Sequence, residues 1–235
     1  INILATTRSF KTSRLSEAVR FGEEMAIIRG RVGRTEDIHR DLQAVIQGNS
    51  KSFFVNGKRE PVNNYLSQLH TVVFNADELE VVRGHPEARR RFLDQAIVSI
   101  HPPYVQTLAD YSRVIKQKNA LLQAEQDEKI SQEKAAEQLE PWNEQLITHG
   151  TRIHRSRLRY VERLNEVLEN NLFGTEQIVM RYASSLEGKG DLSDYESLLA
   201  ERLKLRVHAE TAAGYSLIGP HRDDLEILLD GHDLR

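Results

Sequence analysis

The sequence predicts an α+β fold in which an antiparallel β region is interrupted by an inserted helical, coiled-coil-like arm. Three observations lead to this prediction. Short apolar-rich runs fill the first part of the chain, apolar residues at heptad spacing fill the middle, and alternating apolar residues return near the end. The chain therefore divides into three predicted segments: 1–84, 85–212 and 213–235.

The first segment is predicted to be mostly β. Its strands are expected in the apolar-rich runs at residues 25–32, 40–47 and 51–58. Asn56-Gly57 strongly predicts a hairpin turn, because both residues tolerate positive φ. Residues 69–75 contain a continuous apolar run, which predicts a further and more buried strand.

The middle segment is predicted to be helical and begins with a helix that carries Leu93, Ile97 and Ile100 on one stripe. Pro86 suits the first turn of this helix, where a missing N–H costs nothing. Two longer heptad-patterned helices then predict an antiparallel hairpin at about residues 104–172. Pro141 either starts a new helical segment in this hairpin or kinks the existing one.

The apolar positions of the hairpin define its two helices. The first helix carries Tyr104, Leu108, Tyr111, Ile115 and Leu122. The second carries Ala135, Leu139, Trp142, Leu146, Ile153, Tyr160 and Val167. These spacings repeat the steps of three and four residues that place side chains on one face of a helix.

The last part of the chain returns to strands around one more helix. Residues 176–182 predict a strand and residues 191–209 a helix. Residues 214–219 and 224–231 predict two further strands, with Asp230-Gly231 opening a hairpin.

Composition limits the classes of protein to which the chain can belong. It has 235 residues, with 32 Lys and Arg against 35 Asp and Glu, so a role in nucleic-acid binding must rest on local patches. It has no Cys, which excludes disulfides and thiolate metal sites. No apolar run approaches a membrane span and no signal pattern occurs at the start, so we expect a cytoplasmic protein without membrane contact.

The sequence offers no catalytic residue and no metal site. The nine His residues lack the paired spacing of a zinc helix, and no Gly-x-Ser-x-Gly elbow occurs. No G-x-x-x-x-G-K-[ST] phosphate-binding loop is present either. We therefore predict that residues 1–235 alone hydrolyse no ATP.

Three stretches carry a family resemblance. They are "ATTRSFKT" at 5–12, "GHPEARRRFLDQAI" at 84–97 and "GPHRDDL" at 219–225. Together with "YSRVIKQKNALL" at 111–122 and "WNEQLITHGTRIHRSR" at 142–157, they resemble motifs of the RecF family of bacterial recombination-mediator ATPases. The resemblance spans essentially the whole chain in the expected order.

The resemblance implies a fold and a function. The fold would be part of an ABC/SMC-type ATPase head with a helical arm lobe, lacking the Walker A, signature and Walker B motifs, so we expect the chain to be a piece. The intact protein would be a weak DNA-dependent ATPase that uses ATP and Mg²⁺, forms an ATP-dependent homodimer and binds double-stranded, gapped or junction DNA. Its partners would be RecR and RecO and, indirectly, RecA, in recombination, repair and the SOS response.

The resemblance also implies nucleotide-proximal residues. Arg8, Ser9 and Lys11 lie in the loop that would approach the phosphates, with Lys11 where the family usually has Arg. The alternative is a solvated basic loop. Asp77 falls in a candidate nucleotide-sensing loop or, more simply, in an acidic helix start. His221 and Arg222 either sense ATP or belong to a buried ion-pair cluster that also includes Asp223 and Asp224.

Five arginines are candidate DNA-binding residues: Arg89, Arg152, Arg155, Arg159 and Arg163. The last four cluster on one helical face, away from the apolar seam, and could follow a phosphate backbone. The alternative is a solvated coiled-coil face, neutralised in part by Glu162 and Glu166. Arg89 is expected to be the free cation of its run, whereas Arg90 and Arg91 can pair with Asp94 along the helix.

Two other functions stay open at the level of sequence. One is another SMC-type ATPase, such as a RecN-like repair or chromosome-structure protein, although the predicted arm is short for that class. The other is a stand-alone module that binds a protein partner with its helical hairpin.

Overall fold

A computed structural model describes residues 1–12, 14–35, 38–73, 79–127, 130–169, 174 and 176–234, and for residues 34, 35, 38 and 132 it describes the backbone alone. Contacts divide the chain into two compact units. The first unit comprises Ile1–Asn75 and Val98–Pro103, and the second comprises Ala76–Ile97 and Tyr104–Arg235. The predicted arm helices and the last strands fall in the same unit. Whether the functional boundaries lie at residues 84 and 212 stays a prediction.

The first unit is built on a four-stranded antiparallel sheet in the order β1-β2-β3-β4. Its strands are β1 (Met25–Thr35), β2 (Ile38–Gln47), β3 (Ser50–Val55) and β4 (Lys58–Glu60). They follow the predicted runs, and Asn56 and Gly57 both take positive φ in the turn between β3 and β4. Two short helices, α1 (Asn2–Thr6) and α2 (Val62–Tyr65), and a 3-10 helix at Leu15–Ala18 lie in the same unit.

One face of this sheet forms the core of the first unit. Leu42, Ala44 and Phe53 alternate along β2 and β3 and are almost fully buried together with Leu4 of α1 and Tyr65 of α2. Gly30 on β1 leaves room for Leu4, since a Cβ at this position would lie 2.8 Å from the Leu4 Cδ1 atom.

The second unit is built from helices and a small sheet. Its helices are α3 (Glu80–Arg83), α4 (Pro86–Ile100, whose last three residues fall in the first unit), α5 (Tyr104–Gln126), α6 (Gln132–Leu168), α7 (Tyr195–Leu205) and α8 (Val207–Ala213). Its strands are β5 (Ile178–Ala183), β6 (Asp224–Leu229) and β7 (His232–Asp233), antiparallel in the order β5-β6-β7. Short 3-10 helices lie at Leu192–Asp194 and Pro220–Arg222.

The predicted helical hairpin is present as α5 and α6, which pack along each other. Leu139, Leu146 and Ile153 repeat every seven residues on α6 and are buried, as the heptad pattern requires. Towards the end of α6 the buried position is Val161 and not the predicted Tyr160, and the predicted seam residue Val167 is 47% exposed. The shift follows from the helical period of 3.6 residues, which drifts away from a strict heptad repeat. Pro141 lies inside α6 without ending it.

The end of α6 packs against the small sheet. Leu93 of α4, Val161 of α6 and Leu225 of β6 form one buried cluster with Tyr182 and Ile227. This cluster joins the base of the hairpin to the strand that follows the Gly-Pro-His-Arg-Asp-Asp segment. The Gly-Pro-His-Arg-Asp-Asp segment therefore leads directly into a packed core.

Two predicted strands and one predicted helix are wrong or incomplete. Residues 69–73 form no strand, and Val72 is 99% exposed, so an apolar run alone did not lead to burial there. The predicted helix at 191–209 is broken at Arg206 between α7 and α8. Residues 214–219 also form no strand, and their hydrogen bonds explain why.

The segment 214–219 bonds to side chains in place of a neighbouring strand. Gly214 ends α8 in the left-handed conformation. The Ser216 N–H then donates to the Asn119 side chain at 2.8 Å, and the Leu217 N–H donates to the Glu210 carboxylate at 2.8 Å. Because these groups are satisfied locally, no strand partner is needed.

Candidate functional site

The charged segment after Gly219 lies in a polar cluster in the second unit. Gly219 takes a φ of 126°, and a Cβ there would lie 2.5 Å from the Tyr111 hydroxyl, so only glycine fits this approach. Pro220 then begins a 3-10 helix that presents His221 and Arg222, and the chain continues through Asp223 into β6.

His221 is held in one tautomer between two oxygen atoms. Its Nε2 atom lies 3.2 Å from the Ser216 carbonyl oxygen, which can only accept, so Nε2 carries the proton. The Tyr111 hydroxyl therefore donates to Nδ1, at 2.7 Å. Burial lowers the pKa of His221 to about 4, which keeps the ring neutral at physiological pH.

Arg222 points outward beside His221. Its Nε and Nη2 atoms donate to the Ser216 carbonyl oxygen at 3.3 and 2.9 Å. Its guanidinium carbon lies 5.0 Å from the centroid of the Tyr215 ring, which is 44% exposed. Of the two predicted nucleotide-proximal residues in this segment, Arg222 is the one exposed to solvent.

The two aspartates face different partners. Asp223 is fully buried and accepts hydrogen bonds from the Ser185 N–H at 2.6 Å and from the Tyr182 hydroxyl. Burial and the nearby Asp223 carboxylate raise the pKa of Tyr182 well above its usual value, so this phenol stays a donor. Asp224 accepts two hydrogen bonds from Arg89, at 2.7 and 2.9 Å.

Arg89 is not the exposed cation that the sequence pattern suggested. It is 2% exposed and binds Asp224 through two nitrogens and the Gly84 carbonyl oxygen through a third, at 2.8 Å. The expectation that Arg89 is free is therefore wrong, because a buried guanidinium requires a paired carboxylate. Its neighbour Arg90 donates to the Asp223 carbonyl oxygen at 2.7 Å.

Asp94 pairs across the fold and not along its own helix. It accepts two hydrogen bonds from Arg157 of α6, both at 2.9 Å, and one from the Tyr104 hydroxyl at 2.9 Å. Arg157 also donates to the Pro220 carbonyl oxygen at 2.7 Å. The expected intrahelical pair of Asp94 with Arg90 or Arg91 is thus replaced by a bidentate pair with a distant residue.

These bonds join α4, α5 and α6 to β5 and β6 through one buried polar network. In this network Asp224 forms an ion pair with Arg89 and Asp223 accepts hydrogen bonds, whereas His221 and Arg222 form hydrogen bonds to neutral groups. A role in sensing ATP for His221 and Arg222 stays a prediction.

The predicted DNA face on α6 is exposed. Arg152, Arg155, Arg159 and Arg163 all reach solvent, whereas Arg157 between them is buried. Arg155 lies 4.0 Å from Glu196, and Arg163 donates to Glu166 at 2.5 Å. Within the described part of the chain, no carboxylate lies within ion-pair distance of Arg152 or Arg159.

The remaining described nucleotide-proximal candidates belong to the first unit, whereas the polar network belongs to the second. Arg8, Ser9 and Lys11 follow α1 in a loop of the first unit, where the Lys11 N–H donates to the Ser9 hydroxyl at 3.1 Å. Arg8 and Lys11 are exposed. Asp77 lies outside the described residues.

Comparison with known proteins shows which proteins the chain is similar to. No protein-family model matches the chain. The curated "DNA replication and repair protein RecF" of Geotalea uraniireducens is 33% identical over 100% of the chain, and the RecF of Lysinibacillus sphaericus is 30% identical over 100% of it. A solved RecF–ATP structure of the RecFOR pathway superposes on 100% of the chain with a TM-score of 0.88 and 27% identity. The chain is RecF-like along its whole length.

The RecF-like chain corresponds to part of those proteins. It spans 64% of the length of the Geotalea and Lysinibacillus relatives and 63% of the solved RecF–ATP chain. A second solved structure, of RecF with the ligand ATPrS, matches 99% of the chain with the same TM-score of 0.88. The predicted fold class, an α+β chain with part of an ABC/SMC-type ATPase head and a helical arm, is confirmed by these matches.

Across the described residues there is no group of three or more His, Cys, Asp or Glu arranged to hold a metal ion. Nor is any helix in the described ranges both long and apolar enough to cross a membrane.

Among the residues that the structure describes, the ion pair with the most buried side chains was not predicted from the sequence. Lys118 and Glu210 are each 2% exposed at the side chain, and their charged atoms lie 2.6 Å apart. Glu210 also accepts from the Ser216 hydroxyl at 3.0 Å and from the Leu217 N–H. A signal was present, because Lys118 lies seven residues after Tyr111 and four before Leu122, at a seam position.

His154 was also underestimated. It is 4% exposed and stacks on Tyr195 with the ring centroids 3.7 Å apart and the planes at 9°. Burial lowers the pKa of His154 to about 4, although the negative charge of Asp223 acts to raise it. His154 is therefore a packing residue of the second unit.

Proposed function

We propose that this chain is the DNA-binding part of a RecF-like replication and repair protein that binds DNA in an ATP-dependent manner. Its preferred substrate would be gapped or junction DNA, and it would act with RecR and RecO to help load RecA. The similarity to proteins named for DNA replication and repair, and to a structure of the RecFOR pathway, supports this role. The observation that carries the proposal is the exposed arginine face of α6.

The arginine face (Arg152, Arg155, Arg159 and Arg163) suits a phosphate backbone better than a base edge. The first and last of these residues are eleven residues apart on one helix, which corresponds to about 16 Å at 1.5 Å per residue. Their bound counterions would be released on binding, so affinity should be independent of sequence and strongly dependent on salt. Arg152 and Arg159 are expected to contribute most, since Arg155 and Arg163 have glutamates nearby.

A charge-reversal experiment tests this face. The double variant R152E/R159E should weaken binding of a labelled DNA duplex and lower the salt slope by about 1.8, the amount expected for two lost phosphate contacts. Binding is measured by fluorescence anisotropy over a series of salt concentrations. Since both side chains are exposed, the fold should be retained, which circular dichroism verifies.

The matched control reverses two exposed cations on the neighbouring helix. R113E/K116E changes the net charge by the same amount but leaves the arginine face intact. If only the net charge mattered, both double variants would lose duplex affinity equally. Unchanged duplex affinity of R152E/R159E at low salt would remove the proposed DNA role of α6.

For the nucleotide, we propose that ATP and Mg²⁺ serve the intact protein, which would form an ATP-dependent homodimer. Arg8, Ser9, Lys11 and Arg222 offer exposed or half-exposed donors for phosphate oxygens. Residues 1–235 contain no phosphate-binding loop motif, so we expect no ATP turnover from them alone. Release of phosphate by this chain in a coupled assay would contradict that expectation.

A further inference from the structure

The outer face of the four-stranded sheet carries a second cationic surface, separate from the arginine face of α6. Side chains alternate along each strand, so the residues next to the buried Leu42, Ala44 and Phe53 point away from the core. The register places Arg29, Gln43, Phe54 and Arg59 in one row across all four strands. We call these four residues the arginine row.

The arginine row places an aromatic ring and an amide between two guanidinium groups. Phe54 is half-buried, and Arg29 and Arg59 are exposed at the two sides of the sheet. Arg29 donates through Nε to the Gln43 side chain at 2.7 Å, which orients its guanidinium along the row. Strands lie about 4.8 Å apart, so the row is about 14 Å wide.

The charge of this row is not cancelled by neighbouring carboxylates. Arg31 and Asp41 lie in the next row and pair with each other at 2.7 Å. For Arg29 and Arg59, the described part of the chain supplies no carboxylate within ion-pair distance. The positive charge of the row is therefore available to an anionic ligand.

An apolar row lies on the other side of the arginine row. Ile27 is 48% exposed and pairs with Val45. These residues lie two positions from Arg29 and Gln43 on their strands, on the same face of the sheet. Apolar side chains that reach solvent beside two arginines suit a ligand that has both a flat apolar surface and a regular negative charge. A nucleobase joined to its phosphate has this combination.

We propose that the arginine row binds single-stranded DNA, with Phe54 stacking on a base and Arg29 and Arg59 contacting phosphates on either side. Basic grooves with aromatic side chains are the general means of binding single strands, and four-stranded sheets can stack two or three bases. The choice of DNA as ligand rests on the proposed function, but the surface and its argument are independent of α6.

The test compares single-stranded and duplex DNA with the full chain. Phe54→Leu keeps an apolar side chain but removes the aromatic face, and should weaken binding of a labelled oligothymidylate by about tenfold, as for one lost base stack. Phe54→Trp should retain binding. R29E/R59E should lower the salt slope for the oligothymidylate by about 1.4, the amount for two phosphate contacts on a single strand.

Two controls separate this proposal from the proposed function. R14E/R20E reverses two exposed arginines of the same unit that lie outside the strands, and should leave oligothymidylate binding unchanged. R152E/R159E should weaken the duplex and spare the oligothymidylate. If R152E/R159E leaves duplex binding unchanged while every oligothymidylate prediction holds, the α6 proposal is wrong and the sheet proposal stands.

Three results would overturn the sheet proposal. They are no binding of oligothymidylate by the full chain at low salt, wild-type affinity in folded Phe54→Leu and R29E/R59E, and an equal loss in R14E/R20E. Thermal melts of each variant distinguish a lost contact from a lost fold.

Discussion

Helix α6 carries arginines on two faces, and the two sets have opposite roles. The Arg157 side chain is 4% exposed and holds Asp94 with two hydrogen bonds, whereas the Arg155 side chain, two residues earlier, is 62% exposed and lies 4.0 Å from Glu196. A buried guanidinium must be paired, and losing its partner is costly, while an exposed one contributes little to stability. Residue type and helix are the same, so the difference comes from the surroundings alone.

The largest effect expected from this comparison is at Arg157. Arg157→Met should lower the free energy of unfolding by about 3 to 5 kcal/mol, because it leaves Asp94 and the Pro220 carbonyl oxygen without their donor. The matched substitution Arg155→Met should change it by less than about 0.5 kcal/mol. Urea denaturation followed by circular dichroism measures both, and equal losses would show that the two faces do not differ.

A second buried pair sharpens the same point. Lys118→Met should destabilise the protein by about 3 kcal/mol, since Glu210 would stay buried with only the Ser216 and Leu217 donors. The double variant K118M/E210Q should recover much of that loss, because both charges are removed while the Gln carbonyl oxygen can still accept from the Ser216 and Leu217 donors. A double variant that loses more unfolding free energy than the two single variants lose together would contradict this account. The readout is the urea midpoint at constant pH.

The buried histidine of α6 predicts a dependence on pH. His154 has a folded-state pKa of about 4, below the unfolded value near 6.5, so the unfolded chain binds the additional proton between these values. This contribution to stability is complete above about pH 6.5 and is lost as the pH falls toward 4. From pH 7 to pH 5 the loss should be about 2 kcal/mol for this residue.

His154→Phe is the matched variant for that prediction. It can keep the stack on Tyr195 and removes the titrating group. Its unfolding free energy should therefore fall less than that of the wild type between pH 7 and pH 5. Parallel pH profiles for the two proteins would show that His154 does not titrate in this way. His221 remains in both and provides a common background.

The smallest effect is expected at the far end of the exposed face. Arg163 pairs with Glu166 one turn away, with side chains 78% and 60% exposed. Arg163→Met should change the unfolding free energy by only a few tenths of a kcal/mol, as is usual for exposed helical pairs. A thermal melt suffices as the measurement, and a loss comparable to that of Arg157→Met would break the comparison.

Regular patterns in the sequence predicted most of the elements. Alternation and the Asn56-Gly57 turn predicted β1–β4, and the heptad spacing predicted α5 and α6. The predicted strands at 69–75 and 214–219 failed where described, because local apolarity does not determine whether a partner strand is adjacent. At 214–219, Asn119 and Glu210 satisfy the backbone in place of a strand.

The sequence by itself determined that this chain is RecF-like, that it is built from strands around a helical hairpin, and that α6 presents four outward arginines. Periodicity and motif order encode these properties locally. Only the tertiary structure decided that Arg89 and Arg157 are buried, that His221, Asp223 and Asp224 join one polar network, and that Arg29, Phe54 and Arg59 share one row. Partners of buried charges and cross-strand neighbours lie far apart in sequence, so the register and packing of the folded chain alone bring them together.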